Sequence, residues 1–110
     1  MPLSLSVVIP ALDEEARLPA AIRSVLGDAE VIVVDGGSHD ATRAVAMAEG
    51  ARVLDAPRGR GRQLDRGARE ATGDWIVFLH ADTRLEEGWA DALARLPADA
   101  IGGAFRFAID

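Results

Sequence analysis

At 110 residues the chain has the length of one small domain, and a hydrophobic content of 49% is enough for a core. Its formal net charge of −6 argues against a generic nucleic-acid-binding surface. With no cysteine, disulfides and thiolate metal sites are excluded. Any metal must rest on carboxylate, imidazole, carbonyl or water, which suits magnesium or manganese.

Met1–Leu12 is apolar but has no basic start and runs into Asp13, Glu14 and Glu15, unlike a secretion leader. No apolar run is long enough to span a bilayer, so a cytoplasmic chain is expected. Short apolar runs then alternate with helical patterns. Leu3–Ile9 predicts a strand buried on both faces. Pro19 suits a first helical position, with Ile22, Val25 and Leu26 on one face. Glu30–Asp35, rich in β-branched residues, predicts a second strand. Ser38 or Asp40 can cap a helix running to Glu49, and Gly50 can end it. Arg52–Asp55 predicts a short third strand. Leu64, Gly67, Ala68 and Ala71 have helical spacing, with Gly73 as the stop. Asp74–His80 predicts a fourth strand, and Leu85, Trp89, Leu93 and Leu96 the stripe of a fourth helix before Pro97. Gly103–Ile109 alternates as a fifth strand would.

This order predicts an α/β domain, mainly a parallel sheet with helices on both faces. Ligands bind such sheets outside the carboxyl ends of the strands. The unusual chemistry of the chain falls in the segments that follow the first four strands. Asp35-Gly36-Gly37-Ser38-His39-Asp40 closes the second strand. Its paired glycines permit a sharp turn and close approach to a ligand, and Asp35 can accept from a ribose or a base. A tight turn leading into a capped helix accounts for the same residues equally well. Ala56-Pro57-Arg58-Gly59-Arg60-Gly61-Arg62 follows the third strand. Three guanidinium groups at a helix N-terminus favour phosphate, whereas the plain alternative is a solvated basic loop. His80-Ala81-Asp82-Thr83 follows the fourth strand. Here His80 and Asp82 can ligate a hard divalent cation that bridges phosphate oxygens. Otherwise His80 satisfies a local hydrogen bond and Asp82 caps the next helix. Pro10 through Glu14 share that edge, which raises Asp13 above a routine helix-start acid. The natural ligand of this set is a nucleoside diphosphate with a divalent cation. No G-x-G-x-x-G follows the first strand, and a chain without lysine has no P-loop.

Four ordered motifs resemble family-2 glycosyltransferases. Val7-Val8-Ile9-Pro10-Ala11-Leu12-Asp13-Glu14-Glu15 resembles the opening strand and turn of that family. Val33–Thr42 resembles its Asp-Gly-Ser-x-Asp-x-Thr turn, and Gly59–Gly67 its Gly-rich entry to the third helix. Gly73–Thr83 resembles the strand that carries the metal-binding Asp-x-Asp. The resemblance implies a GT-A fold and transfer of a sugar, with inversion, from a nucleotide-diphosphate donor. It places Asp35 at the base, Asp13 near the nucleoside and Arg62 near the nucleotide; Pro10, Glu14, Gly36, Arg60 and Ala81 are the further substrate-binding candidates. Ala81 falls inside Asp-x-Asp, and Asp82 on its last acid, the usual ligand of manganese or magnesium.

His80 stands where the first acid of that motif would be. The His-Ala-Asp-Thr form resembles a bacterial subgroup named in connection with arsenosugar biosynthesis. Family members continue into an acceptor-binding half that holds the catalytic base, so residues 1–110 are expected to be the donor-binding half alone. The expected partners are a nucleotide-sugar donor and an acceptor of unspecified class; a homo-oligomer stays open. The rival from another class is a non-catalytic nucleotide-binding module. A nucleotidyltransferase would instead show a Gly-rich first turn and a reactive lysine, and neither is present.

Overall fold

The computed structural model describes residues 4–95. Leu96, Pro97 and the expected strand Gly103–Ile109 lie outside them. The described elements are β1 (Leu5–Ala11), α1 (Leu18–Val25), β2 (Glu30–Asp35), α2 (Thr42–Ala48), β3 (Arg52–Asp55), α3 (Arg60–Glu70), β4 (Trp75–Phe78) and α4 (Trp89–Ala94). The four strands are parallel in the order β3-β2-β1-β4. No helix among the described residues is long and apolar enough to cross a membrane.

Strand alternation sorts the core into two layers. Val7, Ile9, Ala11, Val31, Val33, Val77 and Leu79 pack with Leu18, Ala21, Ile22 and Val25 of α1 and Ala46 of α2. Val8, Ile32 and Val34 face the other way, toward Leu64 of α3 and Ile76 and Phe78 of β4. The chain therefore steps from β1 to β3 with helices on one face, then returns to β4 with α3 on the other. That reversal creates a switch point between β1 and β4, where the loops leave in opposite directions.

Several boundaries differ from the sequence expectation. β1 runs through Pro10 to Ala11 rather than ending at Ile9. Pro10 is tolerated because its nitrogen faces the β4 side, where the ladder has already ended at Val8 and Phe78. β4 stops at Phe78, two residues short of His80. Leu79 N makes a last bond to Val8 O, at 3.0 Å, and a turn closed by Thr83 N on His80 O follows. Leu26 follows α1 and is exposed, so the buried stripe is Leu18, Ala21, Ile22 and Val25. Asp13–Glu15 precede α1, not its first turn. Leu85 is buried but lies ahead of α4, whose cap is Gly88, so Asp82 does not cap that helix.

Helix α3 lies close on the sheet because Gly67 has no side chain. A Cβ there would overlap Val8 Cγ1 and sit 3.0 Å from Val34 Cγ2. Both neighbours are β-branched and stiff at the sheet centre. Overpacking should outweigh the helix propensity that alanine gains. We expect Gly67→Ala to lose about 1–2 kcal/mol of stability, checked by denaturant unfolding.

The opposite, amino edge carries its own polar network. Glu30 Oε1 accepts from Ser6 Oγ at 2.8 Å and from Thr72 N at 3.0 Å, and Ser6 Oγ accepts from Gly73 N at 2.8 Å. The Thr72 amide, more than any other partner, holds Glu30 below its ordinary pKa of 4.5. Arg23 does the same for Glu49, and Arg52 for Glu70. Groups whose folded pKa is depressed stabilise the fold above their unfolded pKa and lose that contribution as pH falls. The melting temperature should therefore hold from neutral pH to about 5 and drop below about 4, read by thermal denaturation across pH.

Candidate functional site

Parallel register brings the strand tips level. Ala11 pairs with Asp35, and Asp35 with Asp55. The β1–α1, β2–α2, β3–α3 and β4–α4 connections thus share the carboxyl edge, as expected.

At this edge the first two connections are laced together. Asp13 N donates to Ser38 Oγ at 2.9 Å, and Glu14 N to Thr42 Oγ1 at 2.9 Å. Glu15 N reaches Asp40 Oδ2 at 3.4 Å. In return His39 N donates to Asp13 Oδ1 at 2.7 Å. Asp13 meets these demands at φ +53°, a left-handed conformation that aspartate tolerates better than most residues. Ser38 therefore serves the neighbouring turn and not α2; Asp40 does help α2 start, accepting from Thr42 N at 2.9 Å. The Thr42 hydroxyl above all, then the Thr42 and Glu15 amides, lowers the pKa of Asp40.

Asp35 is buried, 1% exposed, beneath its own turn. Its Oδ2 accepts from Gly37 N and Ser38 N at 3.0 and 2.9 Å, and its Oδ1 from Ser38 Oγ at 2.5 Å. Of the roughly four acceptor positions of a carboxylate, these bonds leave about one. The turn-shaping role of Asp35 is thus present in the structure.

Gln63 was not singled out from the sequence, yet it joins three elements. Its side chain is buried under the tips of β1 and β2, where Nε2 donates to Ala11 O at 3.1 Å and Val34 O at 2.9 Å. Its Oε1 accepts from Gly59 N at 3.2 Å, holding the turn into α3. Gly36 leaves room for it, since a Cβ there would lie 2.9 Å from the amide. The available signal was spacing: Gln63 stands one turn before Gly67, on the face that α3 turns to the sheet.

Arg60 and Arg62 lie in the first turn of α3, with Arg58 just ahead of Gly59, and all three are exposed. Among the described residues none of them forms an ion pair. By contrast Arg17, Arg23, Arg43, Arg52, Arg66 and Arg69 all do. Arg60 instead places its guanidinium against the His80 ring, with Nη2 2.6 Å from Nδ1 and close to Nε2.

Asp82 is half exposed and looks elsewhere. Its Oδ2 lies 3.5 Å from Arg17 Nη1, and Arg17 Nε lies 3.5 Å from Glu14 Oε1. Arg17 thereby spans the crevice between the β1 and β4 tips. Asp82 thus faces the α1 side while His80 faces α3, so the structure does not bring the two expected metal ligands onto one partner. Among the described residues no three His, Asp or Glu groups converge to hold a metal. An exposed carboxylate with one long ion pair fits a cation that takes its other ligands from a diphosphate and water, not a cage of protein ligands.

Residues 6–106 match the model of glycosyl transferase family 2. The chain belongs to that family. A PGL/p-HBAD biosynthesis glycosyltransferase of Mycobacterium bovis is 40% identical over 104 residues, covering 84% of this chain and 40% of the relative. Glucosyl-3-phosphoglycerate synthase of Mycobacterium tuberculosis is 39% identical over 93 residues, covering 72% of this chain and 29% of that protein. A crystal structure of that synthase with Mn2+, UDP and glucosyl-3-phosphoglycerate aligns with a TM-score of 0.73 at 33% identity, over 84% of this chain and 38% of the other. Another, with Mn2+ and UDP-glucose, gives 0.72 at 32%, with the same coverage. The fold is thus of the GT-A type. The family-2 chain spans less than half the length of these relatives.

Replacing Gln63 tests how the edge is assembled. Gln63→Leu leaves Gly59 N and Val34 O without its amide and should cost about 1–3 kcal/mol. Gln63→Glu turns carboxylate oxygens toward two carbonyls and should cost more at neutral pH. Chemical denaturation of the three proteins gives the order.

Proposed function

We propose that this chain binds a nucleotide-diphosphate sugar at the carboxyl edge of its sheet, as the donor-binding part of an inverting glycosyltransferase. The observation that carries the reading is the contrast among arginines. Of the eleven described arginines six are tied to carboxylates; Arg58, Arg60, Arg62, Arg84 and Arg95 have no such tie among the described residues, and three of these five cluster at the start of α3. Exposed cations kept free of internal acids suit a polyanionic ligand.

In this reading Arg60 and Arg62 take the diphosphate. Asp13, Glu14 and the Asp35-Gly36 turn border the nucleoside, with Pro10 setting the end of the strand below them. Asp35 keeps its turn and offers its remaining lone pair. Uridine is the proposed nucleoside, supported by the UDP and UDP-glucose complexes of the synthase. Asp82 holds a divalent cation, manganese or magnesium, which would neutralise charge on the leaving diphosphate. Ala81 is buried, so its part is to seat the turn that carries Asp82. Sugar transfer by inversion further requires a base for the acceptor hydroxyl, and the described residues offer no carboxylate we assign to that task. The finer subgroup resemblance rests on His80-Ala81-Asp82-Thr83 alone.

Calorimetry with UDP, in manganese and in chelator, tests the proposal. The parent chain should bind UDP more tightly with manganese, and Asp82→Ala should abolish that gain, a loss of about tenfold or more. Equal affinities in all four combinations would overturn it.

A further inference from the structure

Gln63 spends its amide inside the protein. Nε2 donates to Ala11 O at 3.1 Å and to Val34 O at 2.9 Å, and those are the two hydrogens an amide has. Oε1 accepts from Gly59 N at 3.2 Å, and the side chain is buried. A residue so placed does not reach for a ligand; it joins stretches of backbone. On one side stand the last residue of β1 and the residue before Asp35, from which the Asp13 and Asp35-Gly36 turns leave. On the other stands Gly59, between Arg58 and Arg60, at φ +145°, a conformation that suits glycine. Gly59 O also accepts from Gln63 N at 2.9 Å, so both polar backbone groups of Gly59 end on this one residue. The body of α3 has its own hold on the sheet, through Leu64 and Gly67 against Val8 and Val34. The amide of Gln63 therefore bears on the entry turn of the helix.

We propose that Gln63 is a positioning residue that sets the span of the donor site, holding the arginine turn at a fixed distance from the nucleoside turns so that one ligand meets both. This inference rests on the donor-site reading above. Nucleoside and diphosphate are parts of one molecule. Once the first part is bound, the second contact is intramolecular, and it gains most when the two subsites stand at the span of the ligand. A pinned span also removes the cost of ordering the turn on binding. It selects a nucleoside diphosphate over a nucleoside or free pyrophosphate, although Gln63 touches none of them. Gly36 belongs to the same device: a Cβ there would lie 2.9 Å from the Gln63 amide, so the amide fits beneath a glycine.

The experiment titrates the parent chain, Gln63→Met and Gln63→Asn with uridine, pyrophosphate and UDP, all in magnesium, at a temperature where unfolding curves show each protein folded. Methionine keeps the length and removes the amide. Asparagine keeps the amide one methylene short, and it carries the test if Gln63→Met does not fold. UDP should weaken by about tenfold in either variant, while uridine and pyrophosphate each stay within about twofold of the parent. A merely structural role would not produce that split. A loss of uridine or pyrophosphate affinity equal to the loss for UDP would overturn the proposal, since Gln63 would then support one subsite and not the span. UDP binding at the parent affinity in a folded variant would defeat the inference alone. Absence of UDP binding by the parent chain would instead defeat the donor-site reading and this inference with it.

Discussion

The carbonyl of Ala11, at the tip of the central strand, is where the molecule's constraints converge. It accepts from Gly36 N at 3.0 Å, which fixes the β2 turn to β1. It also accepts from Gln63 Nε2 at 3.1 Å, which fixes the start of α3 to the same point. A buried carbonyl holds such partners firmly because losing them costs its desolvation. The absence of a side chain at Gly36 and Gly67 lets α3 come near enough for the bond to form. The first turn of α3 is consequently held at the β1 and β2 tips, with its arginines exposed there. Positions around the edge are therefore set by packed backbone and one buried amide, which is the rigidity a binding site needs.

Charge at this edge is apportioned. Asp13, Asp35 and Asp40 direct their carboxylates into turn amides and hydroxyls. Glu14 and Asp82 share Arg17. Arg58, Arg60 and Arg62 remain outward with no ion pair among the described residues, although the whole chain is acidic, with a net charge of −6. An acidic protein can thus offer a local anion site, because short-range geometry outweighs net charge where screening is strong.

The architecture was legible because buried parallel strands read as continuous apolar runs and the punctuation between them was plain. Glu30–Asp35 and Arg52–Asp55 match the structure at both ends. β1 and β4 were misjudged at their carboxyl ends, because a strand stops where its neighbour stops, and that is a tertiary fact. Pro10 suggested an end to β1 that the open β4 side makes unnecessary. Placement of the acidic and arginine-rich segments on one edge followed from topology alone. Their partners did not. Ser38 bonds a residue 25 positions away, and Gln63 one 52 positions away; no local pattern announces either. His80 and Asp82 looked like one ligand pair, since spacing shows proximity along the chain but not the turn that parts them.

The account stands most directly on which edge of the sheet meets the nucleotide. Backbone amide shifts of the chain titrated with UDP and magnesium would decide it. The account predicts changes concentrated in Asp13–Glu15, Gly36–Asp40, Gly59–Arg62 and His80–Thr83, with the Ser6, Glu30 and Thr72 network unmoved. Changes centred on that amino-edge network, or none at saturating UDP, would contradict it.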